Sequence, residues 1–289
     1  MRRVLIAVVG VLALVAAGCD LQKVVPQGDA PLRYRDPVFT AVTTTSNVTY
    51  GSAVNQQGQT VTLQLDVYAP TGDAVTDRPA IVWVHGGSFA FGSKTSPEIV
   101  DEATVFAKKG FVNVSINYRL STNGCTTVTA ECLTAIVDAK HDAQAAVRFL
   151  RAHSDDYGVD EGRIGIAGTS AGAITALNVG YGPEDVGNSG NPGFASTVSA
   201  AVSLSGARIL TTPNPGEAAA LLFHGTADTL VPYQWALDTV AAAEAAGLQA
   251  YLTTFEGAGH VPYTQNRTTI LDQTTNFLYW TLNLTRAAR

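Results

Sequence analysis

The residues that could do chemistry begin with Ser170, in Gly168-Thr169-Ser170-Ala171-Gly172. The apolar run Ile164-Gly165-Ile166-Ala167 leads into it and Ala173-Ile174-Thr175-Ala176-Leu177 follows. That is the order of a strand, a sharp turn and a helix. A serine on such a turn has its hydroxyl pushed clear of the sheet. Gly168 and Gly172 lack a Cβ, so strand and helix can close around it. The hydroxyl then lies at a helix N-terminus, where free N–H groups and partial positive charge favour a developing anion. This is the setting of a nucleophile. The competing reading is a chance Gly-x-Ser-x-Gly in a chain rich in small residues.

A serine hydroxyl needs an adjacent base to attack a carbonyl carbon. The chain has five histidines. His85 ends an apolar run, His141 and His153 fall on or beside a helical pattern, and His224 opens His-Gly-Thr-Ala-Asp. Only His260, in Gly257-Ala258-Gly259-His260-Val261-Pro262, is both late in the chain and on a loop free to reach Ser170. Its alternative is a surface histidine. Asp228, just past an apolar run, would accept the other imidazole N–H, fix the tautomer and stabilise the imidazolium; otherwise it caps a helix near Pro232. The order Ser, Asp, His is that of one known triad arrangement. An oxyanion needs donors. The peptide N–H groups of Gly86 and Gly87, with that of Ala171, would supply them, and losing one such donor costs about 3–4 kcal/mol of barrier stabilisation. Otherwise Gly86-Gly87 is a tight turn. His85 is expected to brace this loop. The chemistry calls for no metal and no organic cofactor.

The elements that must position these groups are legible in the hydropathy pattern. Phe39 to Val54 and Thr60 to Tyr68 alternate apolar and polar residues, as antiparallel strands do. Ala80 to His85 is continuously apolar until its end, as in a strand buried on both faces. A helix is expected over Val100 to Lys109, a strand over Phe111 to Ile116, and a long helix over Ala130 to His153. Strands follow at Val198 to Leu204, Ala219 to Phe223 and Ala250 to Phe255, with helices at Trp235 to Ala246 and Thr268 to Leu282. Antiparallel strands followed by strand–helix alternation predict an α/β fold: a mainly parallel sheet with helices on both faces. Ligands bind such sheets at the C-terminal strand ends, where Ser170, His85, Asp228 and His260 all fall.

Arg2-Arg3, the apolar run Val4 to Val15 and Ala16-Ala17-Gly18-Cys19 read as an export signal too short to span a bilayer comfortably. Ala-Ala-Gly-Cys resembles a bacterial lipobox, although Ala16 stands where leucine is usual. The resemblance implies a signal peptide over 1–18, lipidation of Cys19, and a cell-envelope lipoprotein touching the membrane only through that anchor; simple secretion is the alternative. Residues 19–37, rich in Pro, Gly and charge, are expected to be a tether, and 38–289 the catalytic domain. About 270 residues beyond the leader suit one well-buried α/β domain. The net charge of −6 argues against nucleic acid as a partner. Cys125 and Cys132, close together in a polar stretch, are expected to form a disulfide that staples a loop and could border the site; free thiols are the alternative. The sequence does not set the oligomeric state.

Taken together, His85-Gly-Gly-Ser-Phe-Ala-Phe-Gly-Ser93, Asn117-Tyr118-Arg119-Leu120, Asp138 to Leu150, Asp160 to Gly172, His-Gly-Thr-Ala-Asp and Gly-Ala-Gly-His resemble the α/β-hydrolase superfamily, in its carboxylesterase and lipase branch. The resemblance runs over about residues 60–282 and departs at Ser88, where many members carry a third glycine. It implies a serine carboxylic-ester hydrolase acting through an acyl-enzyme on a small-molecule ester. The long connections, 181–197 and 205–217, are polar and rich in Gly or Pro, which predicts little or no lid and an open site. Short-chain acyl esters, or acetyl and feruloyl groups on polar molecules, suit that best. A serine peptidase of the same fold and a catalytically silent hydrolase-like binding protein are the rival readings.

Overall fold

A computed structural model describes residues 20–182 and 184–286; the expected signal peptide and Cys19 lie outside them. In chain order the elements are β1 (Val42–Val54), β2 (Thr60–Pro70), β3 (Arg78–Val84), α1 (Pro97–Lys108), β4 (Val112–Ile116), α2 (Ala130–Ala152), the single turn α3 (Ser154–Tyr157), β5 (Val159–Thr169), α4 (Ala171–Gly180), β6 (Ala200–Leu204), β7 (Ala219–Gly225), α5 (Tyr233–Ala245), β8 (Ala250–Phe255) and α6 (Tyr263–Thr281). The strands form one eight-stranded sheet in the order β1-β2-β4-β3-β5-β6-β7-β8. Only β1, β2 and β4 pair antiparallel, and every neighbour from β4 to β8 is parallel.

The apolar run of β3 has a two-sided cause. Ala80, Val82 and Val84 face a core filled by α2, α4 and α5, while Ile81 and Trp83 face a second core under α1 and α6. Period-two alternation sends successive side chains to opposite layers, so a strand covered on both faces must be apolar throughout. The expected α/β layering is therefore present. Among the described residues, no helix is long and apolar enough to cross a membrane.

Two expectations shift. α1 and α6 begin three and five residues before the predicted starts, at Pro97 and Tyr263. Proline suits a first helical turn because its missing N–H would be unpaired there, and the polar start of α6 hides its beginning from a hydropathy pattern. The segment expected as a tether is, over residues 20–37, laid against the domain. Gln22 and Tyr34 are buried, Tyr34 N donates to Lys109 O at 2.8 Å, and Trp280 Nε1 donates to Val24 O at 2.9 Å. The Tyr34 ring meets Phe111 edge-on at 5.2 Å. Its docking partners lie far away in the chain, so local composition carried no sign of them.

Candidate active site

Strand register sets up the site. Val84 pairs with Gly168, Thr169 with Leu204, Leu204 with Phe223, and Gly225 with Phe255. The residues that follow these strands, His85, Ser170, Ser205 and the 226–232 and 256–262 loops, are thereby aligned along one sheet edge. Ser170 has φ 54° and ψ −117°, a left-handed backbone that costs a non-glycine residue about 1–3 kcal/mol. Its surroundings enforce it. Ser170 N donates to Leu204 O at 2.8 Å, and a Cβ at Gly172 would lie 2.0 Å from Val84 O. A side chain at either flanking glycine would pry α4 off β3 and β5.

Ser170, His260 and Asp228 are brought into one hydrogen-bonded line. Ser170 Oγ lies 2.7 Å from His260 Nε2, and His260 Nδ1 lies 2.8 Å from Asp228 Oδ2. Asp228 Oδ1 accepts the peptide N–H groups of Leu230 at 2.9 Å and Val231 at 3.0 Å. Burial alone would raise the Asp228 carboxyl, but hydrogen bonds from His224, His260 and Val231 outweigh it and hold the group well below the usual carboxylate range. Asp228 therefore stays ionised, so His260 must carry its proton on Nδ1 and present a bare Nε2 to the serine. The His260 loop is seated by Val261 N donating to Ser205 Oγ at 3.0 Å and Ala227 N donating to Ala258 O at 2.9 Å. A Cβ at Gly225 would stand 2.2 Å from Ala258 O, so only glycine admits this approach.

The His85-Gly86-Gly87-Ser88-Phe89 turn lies opposite. His85 is buried, and burial pushes its imidazole down to about 4, against a hydrogen bond to Gly86 O that raises it. It is neutral near pH 7 and serves as a strut. Tyr118 stacks on its ring at 4.4 Å and donates to His85 O at 3.1 Å. Gly86 and Gly87 line a cavity of about 310 Å³ together with Ser170 and His260. Ala171 opens α4, where N–H groups have no intrahelical acceptor. A smaller cavity, of about 110 Å³, also reaches Ser170 and His260 and is walled by Phe89, Cys125, Ala171, Ile174, Leu230 and Val231. Cys125 and Cys132 are joined as a disulfide, with Cα atoms 4.8 Å apart. Among the described residues, no group of three or more His, Cys, Asp or Glu side chains could hold a metal ion.

Sequence reasoning passed over His224 and Ser205. His224 is fully buried, and its Nε2 lies 2.8 Å from Val231 O and 3.2 Å from Asp228 Oδ2. Its spacing of four from Asp228 at a strand end was the available signal. Ser205 carries a left-handed φ of 57°, which nothing in its local sequence announces.

The chain is similar to known proteins in both sequence and fold. The BD-FAE family profile matches residues 65–207, and the prolyl oligopeptidase family profile matches residues 196–286. Carboxylesterase 3B of Mus musculus is 31% identical over 126 residues, 43% of this chain and 21% of that protein. Chlorogenic acid esterase of Aspergillus niger is 30% identical over 129 residues, 43% of this chain and 25% of that protein. The chain thus spans a fifth to a quarter of the length of these curated relatives. Among solved structures, Thermogutta terrifontis esterase 2 phosphoramylated by tabun superposes with a TM-score of 0.68 at 25% identity, covering 82% of this chain and 94% of that one.

Proposed function

This chain belongs to the α/β-hydrolase superfamily, and from that premise we propose that it is a serine carboxylic-ester hydrolase acting through an acyl-enzyme. The observation that carries the reading is the continuous line from Ser170 Oγ through the His260 imidazole to Asp228, with contacts of 2.7 and 2.8 Å. Ser170 Oγ adds to the ester carbonyl carbon while His260 Nε2 takes its proton. The negative charge on the carbonyl oxygen is met by the peptide N–H groups of Gly86, Gly87 and Ala171. His260 then gives its proton to the departing alcohol, which leaves the acyl group on Ser170. Water repeats the sequence, its proton going first to His260 and then to Ser170 Oγ, and the carboxylic acid is released. Asp228 stabilises the imidazolium at each step.

The two cavities support a substrate class. The narrower, more enclosed 110 Å³ cavity beside Ala171 receives the acyl group, and the more open 310 Å³ cavity, bordered by Glu98 and Ser96, receives the alcohol. A void of about 150 Å³ is what benzene needs. The acyl side therefore favours acetyl to butyryl groups over a feruloyl group. In the test, wild type hydrolyses p-nitrophenyl acetate and Ser170→Ala does not while keeping its fold; full turnover by the variant refutes the assignment.

The prolyl oligopeptidase match over 196–286 favours a second reading, a serine peptidase, since the same groups cleave amides. Comparing matched ester and anilide substrates separates the two. Arg2-Arg3, the apolar run and Ala-Ala-Gly-Cys19 further support export and lipid attachment at Cys19. Fatty-acid labelling that survives Cys19→Ser would exclude that attachment.

A further inference from the structure

We infer that the Cys125–Cys132 disulfide is a positioning device of the ester site, holding the wall of the acyl cavity and the turn that carries the oxyanion donors. This rests on the site assigned above. Gly87, Ser88 and Phe89 have φ of 116°, 49° and 59°, and the last two are side-chain-bearing residues in left-handed backbone. Such a turn persists only where its surroundings impose it. Loop 121–125 does so at two points: Ser121 N donates to Phe89 O at 2.7 Å, and Cys125 N donates to Ser88 O at 2.9 Å. Gly124 sits so close that a Cβ there would come within 2.6 Å of Ser88 O.

Besides the disulfide, the far side of this loop is held by side-chain hydrogen bonds: Ser121 Oγ and Asn123 Nδ2 donate to the Glu131 carboxylate at 3.0 and 2.7 Å, and Gln57 Nε2 donates to Thr122 Oγ1 at 2.7 Å. Residues 126–130 are exposed and bring no apolar core with them. Cys132, by contrast, is buried in the first turn of α2, where its N–H is capped by Thr129 Oγ1 at 3.1 Å. The disulfide therefore ties the brace of a strained turn to a fixed helix. Cys125 at the same time lines the small cavity with Ser170 and Ile174, so its position sets how long an acyl chain can lie there. Cutting this link removes the covalent part of the hold on the wall and the brace and leaves the hydrogen bonds to Glu131 and Gln57, while the sheet and its strand pairing are untouched.

The test compares wild type with the Cys125→Ser/Cys132→Ser double variant on p-nitrophenyl acetate, butyrate and hexanoate, with circular dichroism and thermal unfolding run in parallel. The expected result is a kcat for acetate at least about tenfold lower, a KM changed less, and a preference for acetate over hexanoate at least about threefold weaker, in a folded protein. Loss of one fixed oxyanion donor is of that size or larger. If the double variant does not fold, wild type is reduced with dithiothreitol, its free thiols are counted, and it is reoxidised; kcat should fall and return. Unchanged kcat and acyl preference with the disulfide demonstrably open overturns the inference alone. A wild type that turns over no ester removes the proposed function and the inference with it.

Discussion

Asp228 takes hydrogen bonds on both carboxylate oxygens, and one donor comes from a histidine outside the Ser–His–Asp line. The His224 N–H is shared between Val231 O at 2.8 Å and Asp228 Oδ2 at 3.2 Å. It pins the carboxylate in the plane that His260 needs. A hydrogen bond to a charged group contributes about 1.5–3 kcal/mol, and each 1.36 kcal/mol is tenfold in rate. His224→Leu should therefore lower kcat by about ten- to a hundredfold with KM little changed, and His224→Gln, which keeps an N–H donor, should lose less. Steady-state kinetics of the two variants check this, and equal losses would count against a donor role. At this scale much was readable: types and spacing marked Ser170, Asp228 and His260, because each falls at or in the loop just past the end of a strand. The second contact of Asp228 was not, because nothing in His-Gly-Thr-Ala-Asp says which side chain folds back on which.

Between elements, the site depends on how closely β3, β5 and α4 meet. The glycine signature around Ser170 has its cause here: a Cβ at Gly172 would meet Val84 O at 2.0 Å and one at Gly168 would meet Gly172 C at 2.4 Å. Overpacking of this kind costs about 1–3 kcal/mol or more. Gly172→Ala should lower stability by about 3 kcal/mol in denaturant unfolding and depress kcat with it; a variant of wild-type stability would show that the elbow has slack. Strand identity was legible because burial on both faces forces unbroken apolar runs. Helix starts were less so, since Pro97 and the polar first turn of α6 are set by backbone chemistry and not by hydropathy. The Arg119–Asp142 pair, buried and joined at 2.8 Å, ties the β4–α2 connection to α2 across 23 positions, a contact no local pattern reveals.

For the molecule as a whole, buried titratable groups link the site to stability. His85 titrates near 6.5 when exposed and is pushed down to about 4 by burial. Between those values the unfolded chain binds a proton that the folded chain refuses, so stability falls as pH drops through the window. The full effect is up to about 3 kcal/mol. Glu102 acts in the opposite sense, because burial and then the nearby Glu98 and Asp101 raise its carboxyl well above the ordinary value. The His85 share is isolated by comparison: unfolding free energies at pH 7.5 and 4.5 should differ less in His85→Gln than in wild type, and identical differences would remove His85 as the cause. The sheet, its two covered faces and the strand-end site were legible because they follow from periodicity. The docked 20–37 segment was not, because its contacts with Lys109 and Trp280 exist only once the chain has folded. The central claim is that Ser170 is the nucleophile, and intact-protein mass spectrometry after exposure to a fluorophosphonate tests it most directly. Wild type should gain one phosphonyl group and lose ester turnover in proportion, while Ser170→Ala should gain none; an adduct of equal yield on the variant, or an unlabelled wild type that still hydrolyses esters, would contradict it.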